Sequence, residues 1–251
     1  MRMFRRVSGC LMAASLLLAN AWDARAQAKP SDESKFVVDV AVGIDNSING
    51  NVNSGAIGRL QGQATAILPQ PYSHVYGTGI QLRFGGGYKF DDLTELRVMF
   101  TFQSADADLV RMGDIGISSL YGQYSDYKSL GLDFGYRRYF TTAKPEVRFF
   151  GEATIGAAFI DRINIQFAAP QANVLFDSTD FFDATAAFTW SINTGVVFHA
   201  AKHLDLTAQI GLRHVGGLSQ VDQFVGTGLE TINEDSSRLT FPIIVGVRFR
   251  L

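Results

Sequence analysis

The sequence predicts an all-β fold: an eight-stranded antiparallel up-and-down transmembrane β-barrel with four long outer loops and three short periplasmic turns. Three observations carry that expectation. Eight segments alternate apolar and polar residues with a period of two, the mark of a strand with unlike faces. The connections between those segments alternate strictly between long and short. Glycines gather on the polar face of the segments rather than on the apolar one.

The elements follow in chain order. "MRMFRR" is a basic n-region, Leu11–Ala21 an apolar h-region, and "ARA" (Ala24–Ala26) a small-x-small cleavage site. Residues 1–26 therefore read as a signal peptide and 27–251 as the barrel domain, with Ala19-Asn20-Ala21 a second cleavage candidate. The apolar run is shorter than the roughly 20 residues of a spanning helix. Cys10, the only cysteine, leaves with the leader, so no disulfide or thiolate site is expected. Removing Met1–Ala26 takes Lys+Arg from 22 to 18 and Asp+Glu from 24 to 23, a mature net charge of −5. That balance argues against a nucleic-acid partner.

"KFVVDVAVGID" sets Phe36, Val38, Val40, Val42 and Ile44 against Asp39, Ala41, Gly43 and Asp45. "GIQLRFGGGYKF" and "ELRVMFTFQ" alternate in the same way, as do "SLGLDFGYRRYF" and "EVRFFGEATIGAAF", where Phe150 interrupts the polar face. "FTWSINTGVVFH", "LDLTAQIGLRHV" and the closing "RLTFPIIVGVRFRL" complete the set. The short connections are Asp91–Thr94, Thr141–Pro145 and Ala200–His203; the long ones are Asn46–Gly77, Ser104–Asp126, Ile160–Ala187 and Gly216–Ser237. Pro242 removes a ladder donor and is expected near the outer rim, at a bulge or where pairing thins.

This sorting of connections by end suits a transmembrane barrel, whose inner turns are short and outer loops long. A sandwich would alternate too, but its turns would not sort by end. A soluble barrel would place the apolar face inside. Eight strands enclose a lumen just wide enough for side chains, so glycines must make room for the charges that share it. The charges expected there as an ion-pair network are Asp39, Arg83, Arg97, Asp133, Arg137, Arg148, Glu152, Asp205, Arg213 and Arg248. Unpaired buried charges are costly, so this network reads as a structural plug, with a rearranging gate as the second reading. Aromatics sort toward the strand ends as two girdles. Phe36, Tyr88, Phe90, Tyr136, Phe149, Phe198 and Phe249 fall at the periplasmic rim, and Phe102, Phe159, Phe188, Trp190 and Phe241 at the outer rim.

The run "SLGLDFGYRRYF", and "FTWSINTGVVFHAAKHLDLTAQIGLRHV" followed by a terminal strand, resemble the small outer-membrane β-barrel proteins of the OmpA-type barrel superfamily. The likeness spans nearly the whole mature chain. It implies a Gram-negative-type cell outer membrane, outer-membrane lipid as surroundings, and barrel assembly machinery reading the terminal strand during biogenesis. Such chains usually end on an aromatic; here Phe249 precedes Leu251 by two residues. The resemblance specifies fold and place, not activity.

No catalytic constellation, cofactor or metal is expected. Some barrels of this size modify lipids, which needs a His–Ser pair facing outward near the outer leaflet. His214 with Ser219 is the one candidate, and a non-catalytic interfacial histidine is the preferred reading; His199 and His203 flank a periplasmic turn. "DNSINGNVNSG" lacks the acidic spacing of a calcium loop, and Gly85–Gly87 precede no helix. "AIGRLQGQATAILPQPY" and "INIQFAAPQANVLF" are unusually apolar for outer loops and would either extend strands above the membrane or touch a surface ligand. The expected role is thus non-enzymatic: structural support or surface interaction through the loops. A narrow porin-like channel or conduit, and then an outer-leaflet lipid enzyme, are the alternatives.

Overall fold

The computed structural model describes residues 35–60, 62–140, 146–234 and 236–251. The leader expected at Met1–Ala26 and the turn expected at Thr141–Pro145 lie outside the described residues. Eight strands close a barrel in chain order: β1 (Phe36–Asn49), β2 (Gly79–Asp91), β3 (Thr94–Ala105), β4 (Tyr127–Phe140), β5 (Val147–Ile160), β6 (Thr185–Ala201), β7 (Leu204–Val215) and β8 (Arg238–Arg250). Each neighbour pair is antiparallel, and β8 closes on β1 with Asp39 opposite Arg248. Two-residue turns join β2 to β3 and β6 to β7. At the first, the Leu93 amide donates to Asp91 Oδ1 at 2.8 Å. That bond is the main reason the Asp91 carboxyl sits below the usual carboxylate range.

Polarity in the barrel is inverted relative to a soluble protein. Outward positions are large and bare: Ile155 is 61% exposed and Ile192 62%. Inward positions carry charge and are buried: Arg137 is 1% exposed and Glu95 0%. A wall with an apolar outer band and a polar interior is stable only with lipid outside it. The chain is a transmembrane β-barrel, and the strands, 12 to 17 residues long, exceed the roughly 9–11 that a tilted crossing needs.

Luminal glycines let strands and charges approach. A Cβ on Gly156 would stand 2.1 Å from the Leu132 carbonyl oxygen and 2.7 Å from Asp133 Oδ1. Gly156→Val is therefore expected to prevent barrel closure. On an unheated gel the variant should lack the fast-migrating folded band; a normal band would refute this packing.

Pro242 stands opposite Asp45 on the β1 side. On the β7 side the ladder runs to Ile210–Ile243 and resumes at Arg213–Thr240, so pairing lapses around the proline. The missing N–H is thus placed where a ladder bond is already absent.

The outer connections are not simple loops. Their segments form a second sheet that crosses from loop to loop. Gln63–Ile67 of the first pairs with Leu109–Ile115 of the second, Ser118–Tyr124 of the second with Ile163–Ala169 of the third, and Thr179–Asp183 of the third with Ser219–Gln220 of the fourth. The circuit is completed by hydrogen bonds from the Ser54 amide to the Ile232 carbonyl (2.8 Å) and from Arg59 to Thr227 (2.7 Å). Inside this second tier lies an apolar core that includes Met112, Leu120, Ile165, Phe167, Phe181 and Leu229. The first and third loops do carry strands, but in a sheet separate from the barrel rather than as extensions of its strands, and the second and fourth loops join the same tier, which their mixed composition did not announce.

The inner face changes character at one level. Descending the lumen side, Tyr127 gives way to Ser129, Ala105 to Gln103, and Ala187 to Thr189. On the outer side the change is reversed: Leu130 gives way upward to Lys128 and Phe159 to Asp161. Below this level the wall is sorted for lipid, and above it for water. Phe102, Phe159 and Phe188 stand exposed just beneath it.

Candidate functional site

Among the described residues, the lumen holds six buried acids and seven buried arginines, a nearly neutral filling. Its centre is a network spanning five strands. Arg97 from β3 reaches Glu152 at 2.6 Å, Asp39 at 2.8 Å and Glu95 at 3.3 Å. Arg248 from β8 donates to Asp39 Oδ1 at 3.0 Å and to both oxygens of Glu95 at 2.8 and 3.0 Å. Arg137 reaches Glu152 at 2.8 Å and stands over the Phe150 ring, 3.8 Å from its centroid. Tyr139 bridges Glu95, to which its hydroxyl donates at 2.8 Å, and Arg248. Each arginine fork meets at least two acceptors, the arrangement that makes buried charge tolerable.

Above this, Arg213 grips Asp133 through two nitrogens at 2.8 and 3.3 Å, and Thr189 donates to the same carboxylate at 2.9 Å. At the lower rim, His199 Nδ1 donates to Asp205 at 2.7 Å while its Nε2 accepts from Arg250 at 2.7 Å. At the top, Arg238 donates to Gln103 at 3.0 Å and Gln103 to Asp45 at 2.6 Å. The Arg238 guanidinium lies 3.9 Å from the centroid of Tyr127. That contact joins the luminal network to the apolar core above. There, burial holds the phenols of Tyr76 and Tyr124 well above the usual tyrosine range. Their hydroxyls donate to the Ser125 carbonyl and to Asn53.

Of the ten charges named from sequence, Asp39, Arg97, Arg137, Glu152 and Arg248 meet in one cluster, Asp133 pairs with Arg213, and Asp205 joins the lower rim. Two stand apart. Arg148 is half-buried at the lower edge, donating to the Asp92 carbonyl at 3.3 Å, because it lies one residue into β5, below every acid of the cluster. Arg83 is buried and, among the described residues, donates to Gln81 at 3.1 Å and pairs with no acid, because no acid shares its level on β1 or β3. Glu95, Tyr139, Asp45 and Arg238 belong to the network and were not singled out from sequence. Glu95 lies in phase with Arg97, two residues before it, which is the signal that could have found it.

Most of the girdle aromatics are exposed on the outer wall, while Tyr88, Trp190 and Phe241 are half-buried. Phe36, Tyr88 and Phe90 form one ring cluster, with centroids 5.2 and 5.3 Å apart. Phe140, exposed beside Phe149, joins the lower girdle. His214 stacks on Trp190 at 5.6 Å and 11° in the barrel wall, whereas Ser219 sits in the outer tier, paired with Asp183. The two are held by different tiers.

No known family model matches the chain, and no curated protein matches it. Among solved structures, neisserial surface protein A is similar at 14% identity and a TM-score of 0.47, covering 87% of this chain and 98% of that one. OprG from Pseudomonas aeruginosa is similar at 11% and 0.45, covering 88% and 97%. The outer-membrane protease OmpT from Escherichia coli is similar at 6% and 0.43, covering 90% and 99%. At such identities no activity is carried over from any of them.

Proposed function

We propose that this barrel is a non-catalytic surface protein whose four outer segments form one folded head for contact with a partner outside the cell. The observation that carries the reading is the shared apolar core of that head, standing directly on a lumen filled by ion pairs. Loops that only gate a pore need no common core. Loops that present a fixed surface do, because burial is what holds them in one arrangement. The head is also strongly acidic: residues 50–78, 106–126, 161–184 and 216–237 hold twelve acids and three arginines. Arg162 spends its charge on Asp180 and Asp183, and Arg111 on Asp114, which leaves an acid surplus that favours a cationic partner.

The channel reading is tested by conductance. Reconstituted into planar bilayers, the purified protein is expected to give no resolved single-channel steps. Reproducible open steps in repeated insertions would refute a plugged lumen.

A further inference from the structure

The outward face of β2 reads Leu82, Phe84, Gly86, Tyr88, Phe90, with a glycine where its neighbours are large. Luminal crowding does not explain Gly86, because it points away from the lumen. Its ladder partners are Val38 on β1 and Val98 on β3. The result is an almost wholly apolar groove of about 500 Å³ in the outer wall, floored by Gly86 and flanked by Phe36, Tyr88, Leu96 and Phe134. Phe36 and Tyr88 belong to the lower girdle, so the groove lies at acyl-chain depth in the periplasmic leaflet.

A cation stands at the right height beneath it. Arg138 faces outward on β4, one outward position below Tyr136, and is exposed. It is opposite Thr94, and its Nη1 donates to Thr94 Oγ1 at 2.6 Å. Leu96, the next outward residue on β3, is in the groove wall. Arg138 has no acid within ion-pair distance among the described residues, and Thr94 engages only its Nη1, so the guanidinium keeps N–H groups to donate to a phosphate. Long basic side chains at a membrane rim direct their charge to headgroup depth.

We propose that this wall retains one phospholipid of the periplasmic leaflet, with an acyl chain laid over Gly86 and the headgroup phosphate on Arg138. The occupant follows from the surroundings: an apolar groove inside a bilayer meets acyl chains, and a tethered guanidinium at its lower end selects the chain that carries a phosphate. The groove's depth excludes a soluble ligand; Arg97, which also lines it, is committed to luminal acids, so Arg138 is the cation left for one phosphodiester.

Native mass spectrometry of the detergent-purified full chain, with phosphatidylglycerol added, tests this. The wild type is expected to retain one lipid. Arg138→Ala should weaken retention by about tenfold, the loss expected of one charge-assisted hydrogen bond. Gly86→Phe, which fills the groove, should abolish it. A Cβ at Gly86 meets only the Val37 carbonyl, at 3.1 Å, and Arg138 is at the surface, so Arg138→Ala keeps the test decisive if Gly86→Phe does not fold. Ala208→Phe, outward on β7 across the barrel, should retain lipid as the wild type does. Equal retention by the wild type and Arg138→Ala overturns the proposal, as does equal retention by a folded Gly86→Phe.

Discussion

Glu95→Ala is expected to destabilise the barrel by about 3–5 kcal/mol, the usual consequence of stranding a buried charge. Glu95 is wholly buried, accepts from both terminal nitrogens of Arg248 and from Tyr139, and is ion-paired with Arg97 at 3.3 Å. Its removal leaves Arg248 with Asp39 as its one acid, at a depth where water cannot take the vacated positions freely. Urea titration of vesicle-reconstituted protein, read as the folded fraction on unheated gels, gives the number. Arg83→Met is the contrasting case. Arg83 is equally buried but has no acid partner, and a terminal nitrogen of its guanidinium makes no hydrogen bond to protein. Replacing it with an apolar side chain of similar reach removes a buried charge without stranding an acid, so its effect is expected near zero or stabilising. If Glu95→Ala is no worse than Arg83→Met, the central network does not hold the barrel together.

This pair of variants also separates what was legible in the sequence from what was not. The barrel was legible because one rule, a period of two with the apolar face outward, holds along all eight strands, and lipid enforces it at every position. Phase alone places a residue in the lumen, which is why Asp39, Arg97 and Arg248 could be named. Height and partner are set by stagger between strands, and no single strand encodes that. Arg83 and Asp133 both read as luminal charges, yet Arg213 takes Asp133 and leaves Arg83 without an acid. Glu95 escaped because it opens its strand straight after a turn, where alternation has barely begun. Phe150, which seemed to break a polar face, is the surface on which Arg137 lies.

The head was the least legible part, for a physical reason. Above the membrane level the inward phase becomes apolar and the outward phase polar, so Tyr127 and Ile160 occupy the same inward phase as Asp133 and Glu152. A reader following one rule sees this as decay of the pattern into loop. It is the ordinary rule for water, restored where lipid ends. The pairings between loops join residues far apart in sequence, such as Tyr124 with Ile165 and Thr65 with Ile115, and nothing local specifies them.

If head and barrel are separately held, Phe181→Ala should divide them. Phe181 is fully buried and packs edge-on against Tyr124 of the second loop at 5.3 Å, Phe182 at 4.9 Å and Phe224 of the fourth loop at 5.8 Å. Its carbonyl accepts from Asn233 at 3.0 Å, a further tie to the fourth loop. Truncating such a ring leaves a cavity worth about 3–5 kcal/mol. That loss falls on a tier whose cross-loop pairings run over only a few residues, such as Phe182 with Gln220. The barrel ladders and the luminal ion pairs are untouched. The expected result on intact cells is rapid protease cleavage in the outer segments, with a protected barrel that still migrates as a folded band before heating. Loss of that band along with the head would show that the two tiers fold as one unit. An uncleaved head would mean that its core is more redundant than the ring contacts of Phe181 indicate.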